Sequence, residues 1–210
     1  MTRDKLLHLK KALLVLSICL LLVSLAGFIW LHVLLKQRVT AGEERLPVYN
    51  QIPQFSLVER SGRPFGLDDL KEKVWVADFF FSTCPGPCPR MNARMAELQQ
   101  ALSGESDVRL VSITVDPDTD SPAVLADYAN RFHASEGRWY FLTGAKSVIR
   151  HLAKDGFMVG GAEDAMLHTT RFMLVDRQGR LRGYYDSSED ESLRKLLTDI
   201  QRLLSDKGAG

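Results

Sequence analysis

Cys84 and Cys88 stand with three residues between them, where strand-forming sequence gives way to helix-forming sequence. The run Val74-Trp75-Val76-Ala77-Asp78-Phe79-Phe80-Phe81 is apolar, aromatic and β-branched. Ser82-Thr83 and Cys84-Pro85-Gly86-Pro87-Cys88-Pro89 follow it. Cysteine is otherwise nearly absent, since the third one, Cys19, lies in a long apolar stretch. A chain so sparing of cysteine that places two at one junction points to redox or metal chemistry. A thiol at a helix start meets unpaired backbone N–H groups, which favour the thiolate that binds metal and attacks disulfides. Pro85 and Pro87 cost little there, because first-turn N–H groups have no intrahelical partners. The four-residue offset puts both sulfurs on one side if the segment is helical. A structural disulfide, or two inert buried thiols, is the plainer alternative.

Two thiolates make an incomplete site for most metals, so a third ligand is sought among five histidines. His8 and His32 belong to the apolar N-terminal region, while His133 and His151 read as solvated or core-satisfied. His168 immediately precedes the strand-like Thr170–Val175, in a loop containing Gly160-Gly161. Two sulfurs and an imidazole suit Cu(I) or, with a fourth ligand, zinc; a lone histidine is also often structural. Asp78 lies six residues before Cys84 in an apolar strand. If buried, its pKa is raised and it can move a proton to a thiol; otherwise it is an edge carboxylate paired with a base. Asp116, Asp118 and Asp120 form an acidic loop, expected to be solvated turn carboxylates capping the helix that Ser121 opens. Met91 and Met95 share a face with Leu98 and Leu102, which makes a core stripe rather than soft metal ligands.

The elements that must position these groups alternate. Phe55–Glu59 reads as a strand, Ser61-Gly62 as a turn and Leu67–Leu70 as a helical turn. Val74–Phe81 has the texture of a strand buried on both faces. A helix of about four turns follows. Val108–Val115 is a strand, and Ser121-Pro122 opens the next helix with a hydroxyl cap and an early proline. Trp139–Leu142 is a strand, and Val148, Ile149 and Leu152 mark a helix stopped by Gly156. Arg171–Val175 and Leu181–Tyr185 flank the turn Asp176-Arg177-Gln178-Gly179 as a hairpin, and Glu189–Leu204 is a closing helix. This order indicates an α/β fold, a sheet with flanking helices. The cysteines fall at the carboxyl end of an inner strand, where open α/β sheets place ligands.

Ala12–Leu35 is apolar apart from small hydroxyls and His32, and long enough to cross a bilayer as one helix. A cleaved signal peptide usually has a shorter apolar region. The expected order is a cytoplasmic N-terminus over 1–11, a transmembrane anchor over 12–35, a linker over 36–53, a domain over 54–204 and a tail over 205–210. Of 27 basic and 26 acidic residues, four basic and one acidic precede residue 36, which leaves 23 and 25 for the rest. The basic N-terminus places residues 36–210 on the extracytoplasmic side, where disulfides persist. Without a basic stripe, that part carries no signature of nucleic-acid binding.

Four segments together resemble the SCO/SenC family of membrane-anchored, thioredoxin-like copper-delivery proteins. They are Phe79–Met91 with both cysteines, Val111–Pro122 (VSITVDPDTDSP), His168–Asp176 and Arg180–Asp186. The resemblance covers residues 54–204. It implies a thioredoxin-like sheet, copper as Cu(I) or Cu(II) held by Cys84, Cys88 and His168, and assembly of the two-copper centre of a cytochrome oxidase subunit by metal delivery, by reduction of its cysteines, or by both. It also places Asp116 near the site. Many members carry an acidic residue before the histidine, where this chain has Leu167, so the hydrogen bond orienting that imidazole must come from elsewhere. Thioredoxins place a proton-accepting carboxylate at the offset of Asp78. That supports the rival reading, a membrane-tethered thiol–disulfide oxidoreductase in which Cys84 attacks and Cys88 resolves. A thiol peroxidase using Arg90 or Arg171 as its cationic neighbour is a third.

Overall fold

A computed structural model describes residues 45–160 and 170–206, together with Leu13, Leu16, Ser17 and residues 20–31. The chain forms two compact units, Met1–Arg45 and Leu46–Gly210. In the first, residues 20–31 are helical and their large apolar side chains are exposed. Among the described residues no helix is long and apolar enough to cross a membrane. Much of the expected anchor over 12–35 lies outside the described residues.

The second unit is built on a single eight-stranded sheet. Its strands are β1 (Asn50–Gln51), β2 (Ser56–Glu59), β3 (Pro64–Gly66), β4 (Val74–Phe80), β5 (Val108–Thr114), β6 (Trp139–Thr143), β7 (Arg171–Val175) and β8 (Arg180–Asp186). They lie in the order β1-β8-β7-β4-β5-β6-β2-β3. The central β4, β5 and β6 run parallel, in register Asp78 to Ser112 and Ser112 to Phe141. The hairpin β7–β8 adds antiparallel to β4, and β2 adds antiparallel to β6.

Every residue of β4 is buried, as its uniformly apolar sequence requires of a strand covered on both faces. Side chains alternate across it. Val74, Val76 and Phe80 join the core that also holds Cys84 and Cys88, while Trp75, Ala77 and Phe79 face the other way. Three helices contribute to the first face: α1 (Pro87–Ala101), α2 (Pro122–Arg131) and α4 (Asp190–Ser205). The opposite face is covered by α3 (Lys146–His151) and the wider turn Leu152–Gly156 that continues it. Burying a large apolar side chain contributes roughly 1.5–3 kcal/mol, so the Met91, Met95, Leu98 and Leu102 stripe of α1 is a substantial anchor. Both methionines are core, as their spacing indicates.

Two strands were not anticipated. β3 is three residues long and begins at Pro64, so it lacks the alternating run that marks a strand. β1 falls within the stretch expected as a linker. Asn50 and Gln51 pair with Leu181 and Arg180. Just before them, the buried Arg182 guanidinium donates to the carbonyls of Leu46 and Pro47 and to Asp176. Residues 46–53 are therefore part of the folded unit.

Candidate metal and redox site

Helix α1 begins at Pro87, with Gly86 as its N-cap, so Cys88 lies in the first turn and Cys84 in the preceding loop. The helix thus starts later than a shared helical face for both sulfurs requires. They still meet, because the loop folds back: the Cys84 N–H donates to the Phe81 carbonyl at 3.2 Å. Both thiols are buried and free, with no disulfide between them. A cleft of about 300 Å³ flanks the motif, lined by Gly86, Pro87, Arg90, Met91, Thr170 and Ser187 among others.

The two thiols have opposite acidities. Burial raises the pKa of Cys84, but its sulfur accepts from the Cys88 thiol and from the backbone N–H groups of Cys88 and Gly86. The net result lies below the ordinary thiol range. Although its surface is covered by immediate neighbours, Cys84 sits at the rim, so little protein lies beyond them and desolvation does not win. Cys88 is deeper. Burial, its bond to Cys84 and the charges of Cys84 and Asp78 push it up to about 12, against partial relief near Phe81. The pair is therefore one thiol made more acidic than usual, backed by a second made less acidic.

Asp78 lies on the cysteine side of β4 and is fully buried. Neither carboxylate oxygen has a well-formed hydrogen bond. Burial raises its pKa to about 7, and the nearby Ser112 hydroxyl only eases this. That hydroxyl is engaged by the Trp139 indole N–H at 2.9 Å. Beside them Asn92, also fully buried, donates to the Cys88 carbonyl at 3.3 Å and to the Tyr128 hydroxyl at 3.1 Å. Asp78 is the buried carboxylate of the two sequence alternatives, not an edge residue.

The acidic loop divides. Asp118 is solvated, 3.8 Å from Lys146, and the cap of α2 is the Ser121 hydroxyl, which accepts from the Val124 N–H. Asp120 departs from the expectation of a solvated carboxylate, since it is fully buried. It accepts from the Ser82 N–H at 3.1 Å and from the hydroxyls of Ser82 and Thr114. A hydroxyl residue just past β4, another at the end of β5 and an acid six residues after the second was the available signal.

His133 and His151 are exposed, the latter 2.8 Å from Asp155. His168, the expected third ligand, lies outside the described residues, as does Leu167. Among the described residues no three His, Cys, Asp or Glu side chains gather in a metal-holding group.

Residues 44–205 match the family profile SCO1/SenC. A relative, the SCO1 protein homolog of Bacillus subtilis (strain 168), is 33% identical over 161 residues, covering 74% of this chain and 83% of its own. The chain belongs to the SCO1/SenC family. Two solved members extend the comparison. BsSco, described as a member of the Sco family of cytochrome c oxidase assembly proteins with a disulfide switch, superposes with a TM-score of 0.68 at 31% identity, covering 77% of this chain and 98% of BsSco. Arabidopsis thaliana ScoI, solved with copper bound, gives 0.61 at 25% identity, covering 71% and 98%. The sheet with its flanking helices is the thioredoxin-like fold of these SCO proteins.

Proposed function

We propose that this SCO1/SenC protein is a copper-binding assembly factor. Cys84, Cys88 and His168 hold one copper ion, as Cu(I) or Cu(II). The protein passes it to the two-copper centre of a cytochrome oxidase subunit, reduces that subunit's cysteines, or does both. The observation that carries this reading is the pair of adjacent, buried cysteine sulfurs at the β4–α1 junction. Paired soft donors suit copper, and a related structure holds it. An imidazole completes the set without adding charge. We place the unit from Leu46 onward outside the cytoplasm, tethered by a single membrane-spanning helix over residues 12–35.

The acidity difference between the cysteines favours a second reading, thiol–disulfide exchange. The Cys84 thiolate attacks a partner disulfide, forming a mixed disulfide and releasing one partner thiolate. Cys88, losing its proton toward Asp78, then displaces the second, leaving a Cys84–Cys88 disulfide and a reduced partner. Copper titration of the reduced full chain separates the two. The first reading predicts one copper per chain and at least a tenfold loss of affinity in His168→Ala. Unchanged affinity in that variant, with thiol exchange lost in Asp78→Asn, supports the second.

A further inference from the structure

Asp120 is a fully buried carboxylate that, among the described residues, forms no ion pair; it is held by three donors, two of which belong to Ser82. Ser82 is two residues before Cys84 and stands at the exit of β4. The third donor is the Thr114 hydroxyl at the end of β5, which itself accepts from the Asp116 N–H at 3.0 Å. The Asp120 N–H closes its own loop onto the Asp116 carbonyl at 2.9 Å. One carboxylate thus joins the carboxyl ends of β4 and β5, two of the three parallel strands, and the loops that leave them.

The next link runs straight to the sulfur. Phe81, adjacent to Ser82, offers its carbonyl to the Cys84 N–H. Fixing Ser82 therefore fixes the turn that aims Cys84 at the Cys88 and Gly86 N–H groups. The proline-framed loop beyond Cys84 has Pro85, Gly86 and Pro87 exposed and lacks a side-chain cap on the helix start. The lock must then come from behind, and Asp120 supplies it.

We infer that Asp120 is the positioning residue of the cysteine site: through Ser82 it sets the separation and orientation of Cys84 relative to Cys88, and so the strength with which the pair holds a soft metal or a disulfide. The inference rests on the reading of Cys84 and Cys88 as the working pair. Outer hydrogen bonds that orient a ligand are worth 10–100-fold in metal affinity.

The test uses the full chain carrying Cys19→Ser, with Asp120→Asn, Ser82→Ala and Ser82→Thr on that background. Asparagine keeps the size but turns one acceptor oxygen into an NH2 that cannot take a hydrogen bond from Ser82 or Thr114. Ser82→Ala removes a single bond and serves if Asp120→Asn does not fold. Three readouts are compared: copper retention against a chelator, the thiolate-to-Cu(II) charge-transfer absorption, and the reduction potential of the Cys84–Cys88 couple against glutathione. Urea midpoints are measured alongside. Asp120→Asn and Ser82→Ala are expected to lose copper about tenfold more readily, with a weakened charge-transfer band and a shifted potential, while Ser82→Thr restores all three. Wild-type retention, band and potential in Ser82→Ala and Asp120→Asn, with only the urea midpoint lowered, overturn the inference. Should the parent chain bind no copper, the metal-delivery reading fails on its own, and the potential alone decides the role of Asp120.

Discussion

Asp78 and Asp120 are both fully buried aspartates behind the same cysteine loop, and they are built in opposite ways. Asp120 has three donors converging on it; Asp78 has none well formed. A buried carboxylate surrounded by donors is a brace, because moving it leaves several polar groups unpaired. Without such donors a buried carboxylate is held near its titration point by desolvation. Burial alone therefore does not tell a structural acid from a chemical one; the donor inventory does. In this fold the brace grips the chain at Ser82, just past the exit of β4, and the titratable group stands inside the strand, two residues before its end at Phe80.

The largest separation is expected in the pH dependence of stability. The Asp78 pKa is about 7 in the folded chain against 3.8 for an unperturbed aspartate. Below pH 3.8 both states hold the proton and nothing is lost. Between 3.8 and about 7 the folded chain keeps a proton that the unfolded chain has released, so stability falls as pH rises, and above 7 the full penalty applies. Asp78→Asn removes this dependence. Relative to the parent, its urea-derived stability is expected to climb by about 4 kcal/mol between pH 4 and pH 8. A flat difference across that range indicates that Asp78 is solvated or paired in solution.

Asp120→Asn is expected to go the other way, losing about 2–3 kcal/mol at neutral pH because donors from Ser82 or Thr114 are left unpaired. A loss below about 0.5 kcal/mol contradicts the brace. The smallest effect concerns the cysteines in chains with Cys19→Ser. With Cys88→Ser, alkylation of Cys84 should set in at a lower pH than for an ordinary exposed thiol, even though its hydrogen-bonding thiol has become a hydroxyl. With Cys84→Ser, Cys88 should need a higher pH than Cys84 to react, because burial and Asp78 still hold its proton after the Cys84 charge is gone. Equal rates for the two single-cysteine chains near neutral pH contradict the assigned order.

Much of this was legible before any coordinates. The apolar run of β4, the cysteine–proline junction and the methionine–leucine stripe of α1 each obey a strong local rule, and the structure follows them. Asp78 stood out as a charged residue inside such a run, but the run alone left open whether it is buried or paired at an edge; the structure buries it. What escaped depends on contacts remote in the chain. β1 is two residues long and is defined by its pairing with β8, while Arg182 reaches back some 135 residues to Pro47. Asp120 reads as an ordinary turn acid until Ser82, 38 residues earlier, is brought beside it.

The proposed function requires Cys84 and Cys88 to share one metal ion with a histidine. X-ray absorption at the copper edge of the reduced full chain, loaded with one equivalent of Cu(I), reads that shell directly. Two sulfur scatterers and one imidazole nitrogen are expected, with the nitrogen lost in His168→Ala. A shell with a single sulfur, or one unaltered when either cysteine is changed to serine, contradicts it.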